Sequence, residues 1–99
     1  MFVHSVYFWL KPELSVAEHT ALVADMHTLR EVPSVRTGYI GTPAPTERPV
    51  IDSSYHYALV LVFDDKAGHD AYQEHPIHRA FADKWRTCWQ VKIYDCQED

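Results

Sequence analysis

Tyr55-His56-Tyr57-Ala58-Leu59-Val60-Leu61-Val62-Phe63 is the stretch on which the fold turns. β-Branched and aromatic side chains fill it and no turn-forming residue interrupts it, so it reads as a buried strand. A period of two puts Tyr57, Leu59, Leu61 and Phe63 on one face and His56, Ala58, Val60 and Val62 on the other. Both faces are rich in apolar side chains. Whatever covers one of them leaves the other in need of a cover too.

Downstream, Asp64-Asp65 supplies capping carboxylates for a helix predicted to run to about Glu74. Pro76 has no amide hydrogen and fits the first turn of a second helix, so His75 is expected as the residue that caps it. Tyr72 then hangs from the last turn of the first piece and His78 from the first turn of the second. The second piece reaches about Trp85, with Phe81, Ala82 and Trp85 on the flank that His78 begins. Thr87 to Tyr94 is the last predicted strand, with Trp89, Val91 and Ile93 on one face, and Gln97-Glu98-Asp99 reads as a polar tail.

Upstream lies a loop, Thr42 to Ser53, which holds Pro43, Pro45 and Pro49 and has no apolar period. Before it, Ser34 to Gly41 is a shorter strand with a bulge expected at Gly38. Ser15-Val16-Ala17-Glu18 is a capping box, and Leu22, Val23, Met26 and Leu29 recur at helical spacing until about Glu31, before Pro33. Val3 to Leu10 opens the chain as a strand, with His4, Val6, Phe8 and Leu10 opposite Val3, Ser5, Tyr7 and Trp9.

The order β-α-β-β-α-β predicts an α+β, ferredoxin-like fold: a four-stranded antiparallel sheet with its helices on one face, and residues 1–99 as a single domain. Two helices cover only one side of that sheet. Tyr7, Trp9, Ala58, Val60 and Val62 are left as an apolar patch larger than a monomer usually exposes. Hiding even ~800 Å² of it gains ~20 kcal/mol gross at ~25 cal/mol per Å², before the cost of association. A homodimer joined through the sheet face is therefore expected.

The net charge of −5, with no lysine or arginine cluster, argues against nucleic acid and anionic membranes as partners. No apolar run approaches the ~20 residues of a membrane span, and Met1-Phe2-Val3-His4 does not begin like a signal peptide. Cys88 and Cys96 have neither CxxC nor zinc-type spacing, which suits free thiols in a reducing, cytoplasmic setting.

His4 opening an apolar strand, Gly38 after a proline-terminated helix, Tyr55 to Phe63, and Ala71-Tyr72…His75-Pro76…His78 ending in Phe81 together resemble the stress-responsive A/B barrel (Dabb) domain family of dimeric α+β barrels. The resemblance covers nearly the whole chain and implies a sheet-to-sheet dimer. In a plant cyclase of that family, which closes a linear polyketide by aldol chemistry without a cofactor, a tyrosine and a histidine of this motif are catalytic. They match Tyr72 and His78, and that enzyme's strand-one pocket histidine matches His4. Its further pocket histidine falls at Tyr57, since His56 points to the opposite face.

The resemblance thus implies one cavity holding His4, Tyr57, Tyr72 and His78, with Phe8, Leu59, Phe63, Phe81, Trp85 and Trp89 as an apolar lining for a small aromatic or apolar ligand. A neutral imidazole removes a proton beside a carbonyl, and a phenol, protonated at neutral pH, orients the imidazole or donates to an enolate. No cofactor and no metal is expected. His75 and His78 are three apart, but no third ligand is in sight and Pro76 holds His75 outside the helix; haem through His78 is the remaining option. The bland alternative for each residue also stands: His78 bonding a backbone carbonyl, His4 a half-buried strand histidine, Tyr72 a packing aromatic. His19, His27 and His69 are expected at the surface. The two functional readings are an acid/base enzyme on a carbonyl-bearing or phenolic small molecule, running an aldol closure, an enolisation or a cofactor-free oxygenation of an electron-rich aromatic, and a non-catalytic, stress-linked or ligand-binding homodimer.

Overall fold

The computed structural model describes residues 1–98. The strands are β1 (Phe2–Leu10), β2 (Thr37–Gly41), β3 (Tyr57–Phe63) and β4 (Trp89–Gln97), in the antiparallel order β2-β3-β1-β4. The helices α1 (Val16–Thr28), α2 (Lys66–Glu74) and α3 (Pro76–Trp85) lie on one side, and short 3-10 turns follow α1 and α3. This is the expected ferredoxin-like arrangement. Along β1, Phe2, His4, Val6, Phe8 and Leu10 are buried under the helices, while Val3, Ser5, Tyr7 and Trp9 are only half-buried on the outer face. Leu59, Leu61 and Phe63 of β3 join Leu22, Met26 and Leu29 of the α1 segment to make the core.

The local signals act as their chemistry requires. Ser15 Oγ accepts from the Glu18 amide at 3.1 Å while the Glu18 carboxylate accepts from the Ser15 amide at 3.0 Å, closing the capping box. Asp65 accepts from the Gly68 amide at 2.9 Å to start α2. His75 is extended (ψ 141°), ends α2 and caps α3, its Nδ1 accepting from the Ile77 amide at 3.1 Å.

Four boundaries move. β4 does not stop at Tyr94: it pairs one-to-one with all of β1, from Leu10 opposite Trp89 to Phe2 opposite Gln97. Ladder pairing overrides the polar composition of Asp95-Cys96-Gln97, and of the expected polar tail Asp99 lies outside the described residues. β3 begins at Tyr57, yet His56 still serves β1: its amide donates to Phe8 O at 2.8 Å and its Nδ1 accepts from the Leu10 amide at 3.0 Å. β2 is shorter than Ser34–Gly41, and the regular part of α1 ends at Thr28.

Gly38 makes no bulge; its register opposite Leu61 is unbroken. The glycine answers to close packing instead, since a Cβ there would lie 2.7 Å from Leu61 Cδ2 and 3.1 Å from Arg30 Cγ.

Candidate functional site

The break at His75-Pro76 turns two side chains toward each other. Tyr72, 1% exposed, and His78 meet with ring centroids 4.7 Å apart and planes tilted by 58°. His78 Nδ1 donates to the Gln73 carbonyl at 3.0 Å, a group left without an intrahelical partner by the end of α2. That bond fixes the tautomer and leaves Nε2 as the basic nitrogen. Burial holds the imidazolium of His78 below its ordinary range; the Gln73 carbonyl opposes this, and the neighbouring His4, His69 and Arg79 add to it. Burial also pushes the Tyr72 phenol far above its ordinary range, so it remains a proton donor throughout the physiological window.

Both side chains line a partly open hollow of about 100 Å³ between helices and sheet. His4 and Phe8 of β1, Leu59 of β3, Phe81 of α3 and Trp89 of β4 line it too. The aromatic wall is continuous: Trp89 lies 5.0 Å from Phe8 and 5.3 Å from Phe81 between centroids. Val91 and Ile93 edge the hollow on β4 and remain 41% and 48% exposed, because no helix of the same chain covers that end of the sheet.

His4 is buried with its Nδ1 2.5 Å from a carboxylate oxygen of Asp95, its direct cross-strand neighbour. Burial lowers the His4 pKa more strongly than Asp95 raises it. The pair's partial opening to water on the Asp95 side limits the carboxylate's pull.

Three of the residues expected in this hollow stand elsewhere. Tyr57 lines a separate open cleft with Leu14, Val16, His19, Thr20 and Val23, its hydroxyl 3.0 Å from His19 Nδ1. It lies at the end of β3 remote from Phe63, beneath the start of α1 instead of the α2–α3 break. Phe63 is fully buried behind Tyr72, at 5.3 Å between centroids, and packs the core. Trp85 is buried on the α1 side of α3, its Nε1 donating to Asp25 at 2.8 Å, an acceptor also held by Lys84 at 2.9 Å.

Two histidines expected at the surface are half-buried instead. His69 stacks on Phe2 at 4.6 Å and approaches His4 at 4.9 Å. Its position was legible: residues three apart share a helix face, and His69 precedes the buried Tyr72 by three. His19 owes its burial to Tyr57, a partner 38 residues away that helical periodicity does not reveal. His27 is exposed, as expected.

The model of the Stress Responsive A/B Barrel Domain family matches residues 2–97. Among solved structures, a Dabb family protein with a ferredoxin-like fold from Mesorhizobium loti is 26% identical, with a TM-score of 0.80 over 99% of this chain and 96% of that one. A protein of Arabidopsis thaliana superposes with a TM-score of 0.81 at 16% identity, over 100% and 96% of the two chains. A dimeric ferredoxin-like protein of unknown function from Thermobifida fusca gives 0.80 at 18% identity, over 98% and 90%. No curated protein sequence matches the chain. Among the described residues, no helix is long and apolar enough to cross a membrane.

Proposed function

The chain belongs to the stress responsive A/B barrel domain family, and from that premise we propose that it is a homodimer joined sheet to sheet, with an acid/base pocket for a carbonyl-bearing or phenolic small molecule beneath its helices. His78 is the base and Tyr72 the proton donor. The observation that carries this reading is the Tyr72–His78 pair at 4.7 Å in one hollow, with His78 Nδ1 committed to Gln73 and its other nitrogen without a hydrogen-bond partner among the described residues. A neutral imidazole takes a proton from the carbon next to a carbonyl, and the phenol donates to the oxygen on which charge develops. The steps fit an aldol closure of the polyketide-cyclase kind or an enolisation. His4, Phe8, Leu59, Phe81 and Trp89 hold the ligand; Tyr57, Phe63 and Trp85 are released from that role by their positions.

The hollow of about 100 Å³ is smaller than the ~300–1,000 Å³ of ordinary ligand pockets. It therefore receives one small ring or acyl group, with the rest of a larger molecule leaving past Val91 and Ile93. The same small volume favours a second reading, a non-catalytic homodimer that binds a small apolar molecule.

Dimerisation is supported by the outer sheet face, where Tyr7, Trp9, Ala58, Val60 and Val62 are only half-buried and Tyr39 and Tyr94 are 64% and 59% exposed. The Thermobifida fusca neighbour is described as dimeric. The test is a thermal-shift screen against small ketones, phenols and polyketide-like compounds, followed by turnover of each hit. The enzyme reading expects conversion that His78→Ala and Tyr72→Phe abolish in folded, dimeric protein. Hits that bind unchanged by either variant support the second reading, and a monomer by light scattering at micromolar concentration ends the dimer.

A further inference from the structure

His4, His69 and Asp95 come from β1, α2 and β4, and the fold brings one ligating atom of each within 4.8 Å of the other two. His69 and Asp95 take no part in the acid/base chemistry above. A His4–Asp95 hydrogen bond by itself has no use for His69, a polar ring held against Phe2 and Phe63 at the cost of part of its hydration. His69 Nδ1 faces the Asp70 carboxylate at 3.0 Å. A carboxylate on the far ring nitrogen is the usual support of a metal-bound imidazole. The other nitrogen, Nε2, has only the Gln73 amide nitrogen at 3.4 Å among the described residues.

We propose that His4, His69 and Asp95 bind a divalent transition-metal ion of the zinc type. Two imidazoles and one carboxylate suit Zn²⁺ and its neighbours, whereas Mg²⁺ and Ca²⁺ take oxygen ligands. Metal–ligand distances of about 2.0–2.2 Å put tetrahedral donor atoms roughly 3.3–3.5 Å apart, so the widest separation closes by about an ångström while His4 Nδ1 and Asp95, 2.5 Å apart, give up their hydrogen bond and open by about as much. The side chain of Asp95, on an edge strand and 37% exposed, has the freedom to do so. Because His4 also lines the hollow, the fourth position falls to water or to an oxygen of the hollow's occupant. The inference stands apart from the acid/base reading, since it is tested by binding alone.

The experiment uses the full chain without a histidine tag, stripped with chelator, then titrated with Zn²⁺ by calorimetry and with Co²⁺ by visible absorption. One ion per chain is expected, together with the absorption of a four-coordinate Co²⁺ site. His69→Ala, at a half-buried position, is expected to weaken Zn²⁺ binding at least ~100-fold and Asp95→Asn similarly, while Asp70→Asn weakens it ~10-fold. His4 is buried and its removal risks the fold, so these variants decide, each checked by circular dichroism. His27→Ala and Cys96→Ser are expected to bind as the parent does. Absence of stoichiometric Zn²⁺ binding, parental affinity in His69→Ala or Asp95→Asn, or loss of binding in Cys96→Ser would each overturn the site.

Discussion

Replacing His78 by alanine tests the candidate site without knowledge of its substrate. The variant loses the Nδ1–H bond to the Gln73 carbonyl and the ring contact with Tyr72 at 4.7 Å. A hydrogen bond of this kind contributes about 0.5–1.5 kcal/mol net, and the lost packing brings the expected cost to roughly 1–3 kcal/mol. For a domain of this size each kcal/mol lowers Tm by about 4–8 °C, so a fall of roughly 4–24 °C is expected at pH 8. The pH dependence is more telling. His78 has its pKa lowered in the folded protein by burial, so the unfolded chain binds the proton first, near the ordinary value of about 6.5. Stability is then full above that pH and falls as the pH drops through it, by up to about 1.4 kcal/mol per unit for one such group. His4, whose pKa burial also lowers, contributes the same sign in both proteins, so the comparison reads His78 together with its coupling to His4. Urea unfolding from pH 8 to pH 5, at one protein concentration, should therefore show a shallower acid loss in His78→Ala than in the parent. An unchanged Tm at pH 8 together with parallel pH profiles would mean that His78 is a solvated side chain, and the base assignment would fail with it.

Tyr72→Phe keeps the buried ring and deletes only the hydroxyl, so Tm should stay within ~1 kcal/mol equivalents of the parent while any turnover disappears; retained turnover would remove the phenol from the mechanism. Gly38→Ala forces a methyl group to within 2.7 Å of the fully buried Leu61 side chain. Overpacking there should cost about 1–3 kcal/mol, offset by at most about 1 kcal/mol from a stiffer unfolded chain, so denaturant titration should show net destabilisation. Val60→Glu places a charge in the middle of the outer sheet face, where Val60 sits opposite Ser5 and Tyr39 in the register. Light scattering should find it monomeric at concentrations where the parent is a dimer, with secondary structure intact by circular dichroism.

The element order, the faces of β1 and β3, the capping box and the helix break were all legible because each is written in neighbouring residues. A period of two assigned Phe8 and Leu59 to the helix side without reference to anything distant. Pro76 ended α2 and started α3 through the loss of one amide hydrogen. The continuation of β4 to Gln97 was hidden, because its cause is the length of β1 on the other side of the ladder. Gly38 carried the right mark for the wrong reason: a glycine in a strand signals either a bulge or a close approach, and only Leu61 and Arg30 decide between them.

The candidate site divides along the same line. Tyr72 and His78 lie within one helix break, so their nearness follows from six residues of chain. Tyr57 and His19 meet across 38 residues, and His4 and Asp95 across 91. The chain's own chemistry determined which residues form strands and helices, which faces are apolar and which side chains are able to carry protons. Tertiary packing alone decided which of those side chains share a hollow, drawing His69 inward against Phe2 and His4 and sending Tyr57 to a different cleft. The physical reason is range: propensity, capping and periodicity act over a few residues, whereas burial and hydrogen-bond pairing depend on which distant segments the sheet register and helix packing bring into contact.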